Sequence, residues 1–207
     1  MMIDDRLSML EALWSIWAGR GQSLTEEQWQ SPTRLGDWDV RSLYAHAAWW
    51  PLGLTLLLDR VQDGEPTHAT AAALLRDFNA PDGIANRMRD QVATGARGDA
   101  EKYNVSQLAE RFSETGPRAI ATARRLGPVV VDYFGMALLP LDEAVSIGVL
   151  EATVHLLDLQ RALGWSPEVP AGGLRHTAAV LAQMAPPVDF IEAATGRSKS
   201  DLFPVLS

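Results

Sequence analysis

A glutamate and a histidine stand four residues apart, at Glu151 and His155, in an otherwise apolar stretch over residues 148–159. Residues four apart on a helix share one face, one turn above the other. Because leucine and valine dominate the stretch, we expect a largely buried helix. A buried carboxylate destabilises a fold unless it is paired or binds a metal ion. The pattern therefore predicts an interior partner for both side chains, although a surface ion pair has the same spacing.

His46 is the side chain that would complete such a site, because it is expected mid-helix on the apolar face of a second long helix. Packed helices lie about 8–10 Å apart, so inward side chains on facing helices can meet. Two imidazoles and one carboxylate form a three-ligand site with open positions, the catalytic pattern for zinc, and they also suit nickel or iron. A core histidine with satisfied hydrogen bonds is the alternative. His68, in a polar loop, and His176, near a helix start, are interpreted as incidental.

Small residues accompany the candidate ligands. Gly148 and Ala144 are expected one and two turns below Glu151, and Gly53 two turns after His46. We interpret them as positions that leave room around the site.

Other residues are predicted to support the candidate ligands. Asp158 follows His155 by three residues and is expected to orient that imidazole. The alternative is an exposed carboxylate that pairs with Arg161. A substrate pocket is hypothesised at Arg41, Trp49 and Trp50. Tryptophans on a bundle helix also serve as core residues, and an arginine in a first helical turn is often solvated.

The composition narrows the class of protein. A chain of 207 residues fits one domain or one domain with an appendage, and without cysteine it has no disulfide and no thiolate ligand. A formal net charge of -8 argues against nucleic acid as a partner, because phosphate binding needs clustered lysine and arginine. No apolar run approaches the roughly 20 residues of a membrane span. The acidic N-terminus does not resemble a signal peptide, so we expect a soluble cytoplasmic protein.

Helical periodicity dominates the chain, and no strand-like alternation of any length is found in the sequence. Four main helices are predicted over residues 3–18, 40–62, 106–126 and 140–163. Shorter helices are predicted over residues 71–78, 84–94, 173–184 and 188–194. Residues 129–134 begin with β-branched side chains but have no obvious partner strand, so an extended connection is expected. The prediction is an all-α bundle of four main helices with a short helical C-terminal extension.

Two motifs resemble those of a known family. The run from Trp29 to Thr33 matches a W-x-x-P-T element, and the run from Gly36 to His46 is similar to the G-W-x-V-R-D-L-x-x-H signature that follows it. Residues 150–159 are similar to E-x-x-x-H-x-x-D-L. Both motifs belong to the DinB-like, mycothiol-dependent maleylpyruvate isomerase family, which this chain therefore resembles.

The resemblance implies a DinB-like metal-binding bundle over residues 1–165, with residues 166–207 as a helical extension packed on it. It also implies a divalent metal, usually zinc, held by His46, Glu151 and His155. The function expected is that of a metal-dependent thiol S-transferase or isomerase that uses a small cytosolic thiol such as mycothiol on an electrophilic small molecule. No nucleic acid or membrane partner is expected, and the protein would be a monomer or homodimer. A metal-dependent hydrolase and a non-catalytic DinB-like binding or stress protein are the alternatives.

Overall fold

The computed structural model describes residues 2–197, 202, 204 and 205, and most of them are helical. The helices are α1 (Ile3–Ser23), α2 (Glu26–Trp29), α3 (Val40–Leu58), α4 (Ala71–Phe78), α5 (Ile84–Lys102), α6 (Val105–Glu110), α7 (Gly116–Leu126), α8 (Leu141–Ala162), α9 (Ala171–Met184) and α10 (Pro187–Ala194). The predicted all-α class is confirmed. Of the C-terminal extension predicted over residues 166–207, residues 198–201, 203, 206 and 207 lie outside the described part of the chain. The predicted boundary between bundle and extension at residue 165 stays a prediction. Within the described residues, none of the helices combines the length and apolar character needed to cross a bilayer.

A small antiparallel sheet joins two connections between helices, the one from α3 to α4 and the one from α7 to α8. Its strands are β1 (Val61–Gln62), β2 (Val130–Asp132) and β3 (Leu138–Pro140), in the order β1-β2-β3. Val131 in the central strand lies opposite Val61 on one side and Leu139 on the other. The prediction that residues 129–134 have no partner was therefore wrong. The partner strands are two and three residues long, too short to produce an alternating pattern.

Several helix ends differ from the sequence prediction. The first helix continues through the glycines at 19 and 21 to Ser23, and α3 ends at Leu58 because the following residues join the sheet. The helix predicted over residues 106–126 is divided by a π-helical segment, Arg111–Thr115, between α6 and α7. The second short helix was predicted to end at residue 94 and instead runs to Lys102. These differences leave α3 and α8, which carry the candidate ligands, as continuous helices through the site.

Buried aromatic residues fix the position of the two helices that carry the candidate ligands. The Trp17 ring of α1 stacks on Phe112 with ring centroids 5.6 Å apart, and Tyr44 of α3 meets Trp17 edge-on at 5.5 Å. The Tyr44 hydroxyl donates to the Trp17 carbonyl at 3.0 Å, and Trp17 Nε1 donates to the Ala152 carbonyl of α8 at 3.1 Å. Since a buried indole or phenol needs a hydrogen-bond partner, these contacts hold α3 and α8 in one register against α1. Ala152 directly follows Glu151 in the sequence, so the Trp17 contact lies beside a candidate ligand of α8.

Candidate metal centre

The three candidate ligands meet between α3 and α8. The first turn of α3 is capped by Asp39, whose side chain accepts from the Ser42 amide at 2.8 Å. His46 lies two turns into that helix, and Glu151 and His155 lie one turn apart on α8. Capping and the aromatic core therefore set the position of His46 along α3 relative to Glu151 and His155.

The triad brings its ligand atoms close enough together to hold one small cation. One ligand atom from each of His46, Glu151 and His155 lies within 4.8 Å of the others. Glu151 Oε2 is 3.8 Å from His46 Nε2 and 3.4 Å from His155 Nε2. The two imidazole centroids are 4.9 Å apart and the rings are perpendicular, at 89°. The side chains are 15–21% exposed, so the site lies near the surface but is largely desolvated.

The electrostatics of the triad favour a charged carboxylate. Burial raises the pKa of Glu151, but the adjacent imidazoles of His155 and His46 outweigh it and hold the pKa well below its usual range. Burial likewise opposes protonation of His155, yet hydrogen bonds to Asp158 and Glu151 raise its pKa to about 9. Burial lowers the pKa of His46, and Glu151 only partly offsets this. At neutral pH these shifts favour a carboxylate at Glu151, an imidazolium at His155 and a neutral imidazole at His46.

Asp158 contacts Nδ1 of His155, the ring nitrogen that does not face Glu151. Its Oδ2 lies 3.0 Å from His155 Nδ1, and its Oδ1 accepts from Arg34 Nε at 2.6 Å. The carboxylate side chain is 3% exposed, so both contacts are shielded from water on the Asp158 side. An imidazole that donates from Nδ1 to a carboxylate has its Nε2 lone pair free for a metal.

Arg34 is a further residue at this site, and nothing in the sequence singles it out. This residue lies in the loop between α2 and α3, where Thr33 donates to the Trp38 carbonyl at 2.9 Å and Pro32 forms a β-bridge with Asp39. Gly36 has φ +64°, a left-handed conformation that glycine adopts without strain. The loop therefore has a defined shape that directs Arg34 onto α8. No pattern in the sequence could indicate this contact, because Arg34 and its partner are 124 residues apart.

The three residues hypothesised as a pocket have other contacts. Arg41 donates to the Ala100 and Tyr103 carbonyls at 2.9 and 3.3 Å, which ties α3 to the end of α5. The Trp49 ring packs on Phe134 with centroids 5.3 Å apart, and on Trp50 at 5.6 Å. A pocket at Arg41, Trp49 and Trp50 stays a prediction.

The small residues have a different role from the one predicted. A Cβ at Gly53 would lie 2.5 Å from the Trp49 ring, and one at Gly148 would lie 3.5 Å from Leu10 and 4.0 Å from Trp50. Neighbouring side chains therefore occupy the space beside these glycines. Gly53 leaves room for the Trp49 ring of its own helix, and Gly148 lies at van der Waals distance from Leu10 of α1 and Trp50 of α3.

The remaining two histidines of the chain lie apart from the triad. His68 Nε2 is 3.0 Å from Asp77 Oδ2 on α4. His176 Nε2 on α9 is 2.6 Å from the hydroxyl of Ser146, a buried residue of α8. Sequence reasoning gave His176 no partner, because Ser146 is brought to it only by the packing of α9 on α8.

A helical bundle with two histidines and a glutamate converging from facing helices defines a class of candidate metalloproteins. The chain belongs to the mycothiol maleylpyruvate isomerase N-terminal domain family, whose profile matches residues 10–160. This finding confirms the resemblance found in the two sequence motifs.

Two solved structures share the fold. One is the crystal structure of a mycothiol-dependent maleylpyruvate isomerase, with 16% sequence identity and a TM-score of 0.57. The other is a histidine-to-alanine mutant of a mycothiol-dependent maleylpyruvate isomerase, with 15% identity and a TM-score of 0.55. Each alignment covers 88% of this chain and 70% of the other. No curated protein sequence matches this chain.

Proposed function

We propose that this protein is a metal-dependent thiol S-transferase or isomerase that acts on an electrophilic small molecule with a small thiol such as mycothiol. The observation that carries the proposal is the convergence of His46, Glu151 and His155 within 4.8 Å. Family membership supports the choice of thiol, since the family's name and both similar structures refer to mycothiol. We further propose that it acts in the cytoplasm, as a monomer or homodimer, with residues 1–165 forming the metal-binding bundle.

The residues present fit a divalent cation. Two imidazole nitrogens and one carboxylate are the donor set of catalytic zinc sites with open positions, and nickel or iron can use the same set. Among the described residues, the largely buried Glu151 carboxylate pairs with the two imidazoles, and a cation would displace the proton that the raised pKa favours on His155. When bound, the metal would stabilise the thiolate form of an incoming thiol.

The protein's own side chains would keep the ligands in place. Asp158 holds the Nδ1 edge of His155, so that Nε2 of that ring faces Glu151. The Trp38 ring packs against the His46 ring with centroids 5.1 Å apart. The chain has no cysteine, so the nucleophile of a thiol reaction has to arrive from outside.

The proposal is tested by assaying the zinc-loaded protein with mycothiol and either maleylpyruvate or a bimane electrophile, and detecting isomer or S-conjugate by mass spectrometry. Product is expected only when thiol and metal are both present. A His46→Ala variant should lose at least about a hundredfold in rate. His68→Ala is the matched control, since His68 pairs with a carboxylate at 3.0 Å outside the triad, and it should keep full activity. Turnover without any thiol would contradict the proposal and indicate a hydrolase, while a bound metal without turnover would indicate a structural site.

A further inference from the structure

A cleft lies between α1, α4, α8 and α9, apart from the candidate metal centre. Its volume is about 490 Å³, and its wall includes Arg6, Met9, Glu143, Ser146, Arg175 and His176. None of the three triad residues lines it. Ser146 precedes Glu151 by five residues, which is a rotation of roughly 140° around the helix. The α8–α9 cleft is therefore on a different face of α8 from the candidate metal centre.

A buried hydroxyl and an imidazole form part of the wall. Ser146 is 1% exposed, and its Oγ lies 2.6 Å from His176 Nε2. Burial and the nearby Arg6 lower the pKa of His176, so the ring is neutral at neutral pH. A neutral imidazole and a hydroxyl carry two polar hydrogens between them, and their mutual bond uses one. The other is left to donate to a further acceptor.

Arg6 has a buried donor without a partner. Its side chain is 11% exposed, and Nη1 lies 2.9 Å from Asp142 and 2.7 Å from Glu143. Nε of the same guanidinium is buried and makes no hydrogen bond within the described part of the chain. A buried donor without an acceptor is costly, and native proteins tolerate one mainly where an ion, a water or a ligand can fill the gap. An oxygen atom of a ligand in the cleft would accept this hydrogen bond from Arg6 Nε.

The remaining groups define the chemistry of the ligand. Arg175 is exposed and has no hydrogen-bonding or ion-pair partner within the part of the chain that the structure describes. Glu143 accepts from the Ala71 amide at 2.7 Å with its second oxygen, so both of its oxygens are occupied. The cleft is lined by two arginines and one carboxylate, Glu143, so its net charge of +1 is neutralised by a monovalent anion and would be exceeded by a phosphate. Met9 and Val180 contribute apolar surface to the same cleft.

We propose that the α8–α9 cleft binds a small monocarboxylate with a short apolar chain. The carboxylate would accept from Arg175, from Arg6 Nε and from the one free hydrogen of the Ser146–His176 pair, and the chain would lie against Met9 and Val180. This site is independent of the metal centre and of the thiol chemistry proposed there.

The probe for this proposal is sodium butyrate, added to the full chain while the imidazole signals are followed by NMR. The His176 signal, assigned with a His176→Gln variant, is expected to shift saturably. An Arg175→Ala variant should bind at least about fivefold more weakly, because it loses a charge-assisted hydrogen bond. Arg118→Ala removes another exposed arginine, on α7 and outside the cleft, and should leave binding unchanged. A His46→Ala background should bind butyrate equally, which separates this site from the metal centre.

Three results would overturn the proposal. The first is a His176 signal that does not saturate with butyrate, and the second is an Arg175→Ala variant that binds as tightly as the parent protein. The third is inorganic phosphate binding as well as butyrate, because the charge balance of the cleft then would not select a monocarboxylate. Thermal melting of the Arg175→Ala variant, expected to match the parent protein, checks that its fold is intact.

Discussion

Arg34 and Asp158 are joined by a hydrogen-bonded ion pair of 2.6 Å between Nε and Oδ1, across 124 residues of sequence. The other oxygen of the same carboxylate faces His155 Nδ1 at 3.0 Å. The guanidinium is more than half exposed and the carboxylate is 3% exposed, so the pair bridges solvent and interior. Through this chain of contacts, the loop before α3 reaches a candidate metal ligand on α8. The loop and the ligand helix are thereby coupled.

Replacing Asp158 with asparagine is expected to weaken zinc binding by roughly 10–100-fold, because the carboxylate no longer orients His155 or raises its basicity. Competition with a chromogenic chelator measures the affinity directly. Asp77→Asn is the matched control, since Asp77 also lies 3.0 Å from a histidine, His68, but outside the triad. Equal zinc affinities for the two variants would contradict an orienting role for Asp158.

Replacing Arg34 with alanine is expected to weaken zinc binding only about two- to fivefold, because an exposed guanidinium contributes little electrostatic energy. Arg34→Lys keeps the charge but loses the planar donor geometry, so it should recover part of the loss. Zinc affinity measured alongside the melting temperature separates positioning from stability. Arg97→Ala is the control, because Arg97 forms a 2.6 Å pair with Asp37 that does not contact a ligand. A change of the same size in both variants would show that the loop contact has no specific effect on the site.

Local patterns were sufficient to predict the ligand helices, whereas contacts between distant segments were not predictable. Glu151 and His155 are visible because a carboxylate and an imidazole at helical spacing stand out in an apolar run. Arg34 is an ordinary loop arginine until folding places it on α8. The same holds for the pair of Ser146 and His176, which depends on how α9 packs. The sheet was missed for a related reason, because its strands have only two or three residues each.

Zinc affinity is expected to rise with pH up to about pH 9. Hydrogen bonds to Asp158 and Glu151 outweigh burial and raise the pKa of His155 to about 9, so the metal-free site holds a proton that zinc has to displace. His46 has a lowered pKa and is already neutral at pH 7. Below pH 9 the apparent affinity should therefore change by up to about tenfold per pH unit, and above it the curve should level off.

Chelator competition at pH 6.5, 7.5 and 8.5 measures this slope. Calorimetry in two buffers of different ionisation enthalpy should detect about one proton released per zinc at pH 7.5. An affinity that does not change over this range would mean that His155 is neutral before the metal binds.

Two glycines of α1 are expected to respond in opposite directions to substitution by alanine. A Cβ at Gly21 would lie within van der Waals overlap of the Tyr44 hydroxyl and 3.2 Å from the Ala109 Cβ, whereas one at Gly19 would meet nothing within 4 Å. Tyr44 is fully buried and its hydroxyl is held by the Trp17 carbonyl, so the ring cannot move aside without breaking that bond. Gly21→Ala should therefore lower the free energy of unfolding by about 1–3 kcal/mol.

Gly19→Ala should instead raise the free energy of unfolding by about 0.5–1 kcal/mol, because alanine loses less backbone entropy in a helix than glycine does. Urea unfolding followed by circular dichroism measures both variants on the same scale. Because the substitution is chemically identical and only two residues separate the sites, helix propensity cancels in the comparison. The difference that remains is the cost of displacing Tyr44, which lies two residues before His46 on α3. If both variants were stabilised, the close packing of α1 against α3 at this point would be wrong.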